Sequence, residues 1–121
     1  MAKKICVLED NDDIRELIEM VFEAEAFDVV SFSTVTEFTA KVPSVQPDVF
    51  LLDVMLPDGN GLEVCRKLRE DEATTHIPIV IMTANSRMDK MMENCDADDF
   101  IAKPFDIDDL AKRIHKQINK N

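Results

Sequence analysis

Acids at Glu9, Asp10 and Asp53, a hydroxyl at Thr83 and an ammonium at Lys103 each stand at or just past the end of a short apolar run. Three carboxylates gathered at one place repel one another unless they are protonated or neutralised. A hard divalent cation is the simplest remedy, and Mg²⁺ takes carboxylate oxygens in octahedral geometry while keeping some of its waters. A divalent metal, a lysine and a hydroxyl together suit a phosphoryl group whose charge must be balanced during transfer. A carboxylate can itself be the nucleophile in such a transfer, giving an aspartyl phosphate. Asp53 is the candidate nucleophile because it projects alone from its apolar run, and Asp10 and Glu9 are then metal ligands, directly or through water.

These residues can meet only if the chain brings the ends of their runs to one edge. Val49-Phe50-Leu51-Leu52 reads as a strand buried on both faces, followed by a loop holding Pro57 and the chain's two glycines, Gly59 and Gly61. Glycine admits backbone dihedrals that other residues resist, so that loop is expected to have a demanding shape. Lys4–Leu8 reads as strand one, Phe27–Phe32 as strand two, Ile79–Thr83 as strand four and Asp99–Ala102 as strand five. Pro78 just before strand four is acceptable, since no ladder donor is needed there.

Between the strands the apolar spacing turns helical. Helix one carries Ile14, Leu17, Ile18, Val21 and Phe22, with Asn11 or Asp12 as its cap. Thr34-Val35-Thr36-Glu37 has the capping-box spacing and opens helix two, which carries Val35, Phe38 and Val42. Asn60 is expected to cap helix three (Gly61, Val64, Cys65, Leu68), Ser86 helix four (Met88, Met91, Met92, Cys95) and Asp106 helix five (Ile107, Leu110, Ala111, Ile114, Ile118). Five alternations of strand and helix require a parallel sheet, right-handed crossovers and helices on both faces: a doubly wound α/β fold. Ligands of such sheets gather at the carboxyl ends of the strands.

The 121 residues are enough for one domain with a real core. A net charge of -11 argues against nonspecific binding to nucleic acid or to an anionic membrane. Cys6, Cys65 and Cys95 lie far apart without a Cys-x-x-Cys, which argues against a disulfide framework or a zinc site and for free thiols on apolar faces. With no apolar run long enough to span a bilayer and no signal peptide, the cytoplasm is the expected location. Simpler roles also exist. Asp53 could cap a turn, Glu9 and Asp10 could favour the start of helix one, and Phe100 and the methionine stripe could be core packing. Asp58 reads as a turn residue, and His76 and His115 as surface residues.

Five pieces of sequence, in order and at the expected strand ends, resemble the receiver domain of two-component response regulators. They are Glu9-Asp10; Asp53; Leu56-Pro57 with Gly59-Asn60-Gly61; Thr83-Ala84; and Asp98-Asp99-Phe100-Ile101-Ala102-Lys103-Pro104-Phe105. The resemblance covers residues 1–121 as one receiver domain. It implies a five-stranded sheet in the flavodoxin-like order 2-1-3-4-5, an order for which receivers are already a standard example. It implies that Asp53 is the phosphoacceptor and that Asp10, Asp53 and the Met55 backbone carbonyl hold Mg²⁺, with Glu9 acting through water. It implies that Thr83, the Ala84 amide and Lys103 contact the phosphoryl oxygens and that Thr83 and Phe100 form a switch, and Lys103-Pro104 resembles a bond that is often cis in the family.

The implied partners are a sensor histidine kinase or phosphotransfer protein upstream and a target protein downstream. The target would read the face made by helix four, strand five and helix five. No direct contact with nucleic acid and no membrane insertion are implied. The Met1 start and the end after helix five favour a single-domain regulator, and the resemblance implies no enzyme activity beyond its own phosphorylation and dephosphorylation. Two departures stand out: Asp96 replaces a glycine of the family and is expected to keep a left-handed turn, and Phe100 lacks the hydroxyl of the tyrosine often found there. The competing readings are a Mg²⁺-dependent aspartyl-phosphate phosphatase, a nucleotide- or flavin-binding domain, and a pseudo-receiver that works by contact alone. The first needs a second acid where Met55 stands, and the second lacks a glycine-rich phosphate loop after strand one.

Overall fold

Every residue of the third strand is buried, and the rest of the sheet is built outward from it. The computed structural model describes residues 2–84 and 95–119. Its elements are β1 (Lys4–Leu8), α1 (Asp12–Ala24), β2 (Asp28–Phe32), α2 (Val35–Lys41), a 3₁₀ turn (Val42–Ser44), β3 (Val49–Asp53), β4 (Met55–Leu56), β5 (Gly59–Asn60), α3 (Gly61–Glu70), β6 (Ile79–Thr83), β7 (Asp99–Ala102) and α4 (Ile107–Ile118). The main sheet is parallel with order β2-β1-β3-β6-β7, the expected order once the short β4-β5 hairpin is set aside. The described residues include four α-helices; the expected fourth helix, with Ser86, Met88, Met91 and Met92, lies outside them.

Alternation along the buried strands sends successive side chains to opposite faces. Cys6, Leu8, Phe50, Leu52, Ile79 and Ile81 pack with Phe38 of α2 and Cys65 and Leu68 of α3. Ile5, Val7, Leu51, Val80 and Met82 pack on the other face with Ile18 and Phe22 of α1 and Leu110 and Ile114 of α4. Two apolar layers therefore hold the sheet from both sides, which fixes its register and the positions of its strand ends.

The helix starts obey the expected chemistry. The side chains of Asn11, Thr34, Asn60 and Asp106 each accept a backbone N–H from the first turn of α1, α2, α3 and α4. Strand two starts one residue later than expected, at Asp28, and β3 runs one residue further, to include Asp53. Val42 belongs to the 3₁₀ turn rather than to α2, because Pro43 cannot continue an α-helical ladder.

Two expectations about special backbone geometry are corrected. Neither glycine has a positive φ; Ala26 and Gln46 do. Asp96 is not among the left-handed residues, so its replacement of glycine asks nothing unusual of the backbone. The Lys103-Pro104 bond is cis, as the resemblance implied.

Candidate functional site

The carboxyl ends of β1, β3, β6 and β7 lie side by side, so the residues at these ends share a common pit. After β1, the Glu9 N–H continues the ladder to the Phe32 carbonyl at 3.0 Å. Its side chain is wholly buried. Lys103 Nζ donates to Glu9 Oε1 at 2.6 Å, and the Asn11 N–H donates to Oε2 at 3.1 Å. Both oxygens of Glu9 are thus engaged by the protein, while Asp10 beside it is exposed.

Asp53 ends β3 and is 6% exposed. Its Oδ1 accepts from its neighbour Val54 N–H at 2.9 Å and lies 3.3 Å from Lys103 Nζ. The loop beyond it is pinned from two sides. The Gly61 N–H donates to the Val54 carbonyl at 2.7 Å, and Asp58 accepts from the Val35 and Thr36 N–H groups at 2.8 and 2.9 Å and from the Thr36 hydroxyl at 2.6 Å. A Cβ on Gly61 would stand 1.8 Å from the Asp53 carbonyl oxygen. Close approach, not a left-handed dihedral, is what requires glycine there.

Lys103 comes directly after β7, and its N–H donates to the Thr83 carbonyl at 2.7 Å, which ties the ends of β6 and β7 together. Thr83 is buried and Ala84 exposed. Phe100 is buried in the cluster that holds Phe50 and Cys65. Met55 is 79% exposed and offers no second acid to Asp53, which counts against the phosphatase reading.

Burial first, and then the charge of Glu9, push the Asp53 carboxyl up from 3.8 to about 7, against the pull of Lys103. Burial also works against the Lys103 charge, but the hydrogen bond to Glu9 and the field of Asp53 outweigh it and raise its pKa. The shorter distance, 2.6 against 3.3 Å, gives the lysine first to Glu9. Asp53 is left as the under-compensated acid. Oxygens of Glu9, Asp10 and Asp53 all lie within 4.8 Å of one another. Three carboxylates facing one ammonium suit a hard divalent cation in both charge and donor type.

Comparison with known proteins adds the family. A profile described as the response regulator receiver domain matches residues 5–115. The chain belongs to the response regulator receiver family. It is 34% identical over 123 residues to the DNA-binding response regulator MtrA of Mycobacterium tuberculosis, an alignment spanning 100% of this chain and 53% of MtrA. It is 39% identical over 119 residues to the response regulator ArlR of Staphylococcus saprophyticus, spanning 97% of this chain and 53% of ArlR. The chain therefore spans about half the length of these curated relatives. Among solved structures, the BeF3-activated receiver domain of Klebsiella pneumoniae RstA shares 29% identity at a TM-score of 0.86, covering 97% of this chain and 99% of that one. A putative response regulator of Chloroflexus aurantiacus reaches a TM-score of 0.91 at 23% identity over 98% of each chain, a likeness of fold.

The receiver pit thus gathers Glu9, Asp10, Asp53 and Lys103, while Thr83 is buried at the end of β6 and tied to Lys103 through its carbonyl. Sequence reasoning misses the role of Asp58, which caps α2 from the β4-β5 hairpin, because nothing local signals a partner so far along the chain. It misses the Asn11 N–H on Glu9 as well; Asn11 announces itself only as a helix cap. His115 lies at the surface, where its Nε2 is 2.6 Å from Glu25 Oε1 and its ring meets Phe27 edge-on. Among the described residues no helix is long and apolar enough to cross a membrane.

Proposed function

We propose that Asp53 is the phosphoacceptor of this receiver, taking a phosphoryl group from a phosphohistidine of a sensor histidine kinase or phosphotransfer protein. The observation that carries the reading is Lys103 Nζ lodged between Glu9 and Asp53, at 2.6 and 3.3 Å, over a pit of three carboxylates. A carboxylate oxygen of Asp53 attacks phosphorus, the bond from phosphorus to the donor nitrogen breaks, and the imidazole leaves with its electron pair. Lys103 holds a fixed positive charge beside the incoming oxygens, and Thr83 and the Ala84 amide offer donors from the neighbouring strand end.

Asp10, Asp53 and the Met55 carbonyl are the residues that would hold Mg²⁺, with Glu9 acting through water because the protein already engages both its oxygens. Bound there, the ion would neutralise the acids and the transferring group. Water later attacks the acyl phosphate, so the domain catalyses only its own phosphorylation and dephosphorylation. As Thr83 moves toward the phosphoryl group, Phe100 changes rotamer, and the face that includes β7 and α4 changes its preference for a downstream target. The net charge of -11 fits a protein target rather than direct contact with nucleic acid, and the cytoplasm is the location that suits a kinase partner.

The test is incubation with acetyl phosphate and Mg²⁺, followed by intact-mass measurement of the wild type and Asp53→Asn. A phosphoryl adduct on the wild type alone is the expected result. An equal adduct on both proteins removes Asp53 from the role.

A further inference from the structure

Cys65 and Cys95 are far apart in sequence, yet their thiols meet. Cys65 lies on the buried stripe of α3, and Cys95 lies four residues before β7. Both are buried in the same apolar cluster, and both are free. The Cys65 S–H donates a hydrogen bond to the Cys95 sulfur, which also accepts the Ala97 N–H.

A rigid brace stands directly beside them. Arg69, one turn after Cys65 on α3, donates from Nε to the Asp96 carbonyl at 2.7 Å and from Nη2 to Asp98 Oδ2 at 2.6 Å. Its Nη1 reaches the Ile77 carbonyl at 2.7 Å. Asp98 Oδ2 in turn accepts the Ile79 N–H at 2.8 Å. The two elements that carry the thiols are therefore already locked together, and the sulfurs need little search to find each other.

We propose that Cys65 and Cys95 are a modification site: exchange with a small-molecule disulfide converts the pair to an intramolecular disulfide that ties α3 to the segment entering β7. The Cys95 thiolate attacks one sulfur of the small disulfide, forming a mixed disulfide and releasing one small thiolate, which takes up a proton. Cys65 gives its proton to solvent and attacks the Cys95 sulfur, and the second small thiol leaves. The sum is a protein dithiol plus one small disulfide giving a protein disulfide plus two small thiols.

The order of attack is set by the surroundings. The hydrogen bond from Cys65 lowers the Cys95 pKa against the opposing effect of burial, with help from the Ala97 N–H and the field of Arg69. Donating that bond, and then burial, raise the pKa of Cys65. Cys95 also has the sliver of exposure, 6% against 0%. The thiolate is the attacking species, so Cys95 reacts first and Cys65 resolves. Cys6 is the internal control. It is buried in β1, and burial alone pushes its thiol up to about 12.

The reduced, folded chain is incubated with oxidised glutathione, quenched with an alkylating reagent, and mapped by peptide mass. Titratable thiols in denaturant should fall from three to one, with a Cys65–Cys95 linked peptide, an intact Cys6 and no glutathione retained. Dithiothreitol should restore all three, and the oxidised form should melt at a higher temperature. Cys65→Ser should stall with glutathione on Cys95, and Cys95→Ser should leave Cys65 unmodified. Three wild-type results overturn the proposal: glutathione kept on Cys95 with Cys65 still free, Cys6 oxidised as fast as the pair, or no thiol loss in the time the urea-unfolded chain takes to oxidise. The wild-type map decides the matter even if a serine variant fails to fold. It is independent of the assignment of Asp53, which the acetyl phosphate experiment tests.

Discussion

Lys103 serves two acids, and the distances decide what its removal does. Glu9 is wholly buried and takes the shorter contact, at 2.6 Å. The Asn11 N–H on its other oxygen carries no full charge to offset it. Breaking a buried pair from one side leaves an uncompensated charge, at a cost of about 3 kcal/mol. Lys103→Met should therefore lower the unfolding free energy of the metal-free protein by that order, read as a lower urea midpoint. Adding Glu9→Gln should recover much of the loss, because the stranded charge is gone. An unchanged midpoint in Lys103→Met would mean that the lysine does not neutralise Glu9. The residue types of this site are legible in the sequence because acids, a hydroxyl and a lysine recur together at the ends of apolar runs, although each alone has simpler uses. The pairing is not. Motif likeness gives Lys103 to an incoming phosphoryl group, whereas at rest it is held by Glu9, a residue 94 positions away.

At the scale of elements, period decides what can be read. Strands of five buried residues and helices with repeating apolar positions announce themselves. The two-residue strands β4 and β5 have no period, and they form because Asp58 docks on the start of α2 and Gly61 closes on β3. The glycines stand out in the sequence for dihedral freedom, which is the wrong property. Gly61 meets backbone, at 1.8 Å from the Asp53 carbonyl oxygen, so no side-chain rotation can make room. Gly59 meets only the Val35 side chain, with Cγ2 nearest at 3.0 Å. Gly61→Ala should cost about 1–3 kcal/mol and displace the carbonyl next to the acceptor, lowering both the melting temperature and the phosphoryl adduct. Gly59→Ala should change either much less. Equal effects from the two substitutions would contradict the close approach of α3 to β3.

At the scale of the whole molecule, a net charge of -11 is carried by a fold that concentrates three acids at one sheet edge. The Asp53 pKa rises from 3.8 in the unfolded chain to about 7 in the metal-free fold. Below the lower value both states hold the proton, and the contribution to stability is complete. Between the two values the folded state keeps a proton that the unfolded chain has lost, so stability falls as pH rises, and above about 7 the loss is full. The linkage value sets an upper bound of about 4 kcal/mol on that loss. Asp53→Asn removes the titrating group, so its stability advantage over the wild type should grow from about pH 4 to about pH 7 and then level off. A divalent cation acts in the opposite sense, because it favours the ionised acids and binds only the fold. Mg²⁺ should therefore raise the wild-type melting temperature more at about pH 8 than at about pH 5, where it must first displace a proton. In Asp53→Asn that pH dependence should be much reduced. Thermal melts at both pH values, with and without Mg²⁺, read all of this in one series. A Mg²⁺ shift that is the same at both would mean that the ion does not bind at the acid whose proton the fold retains.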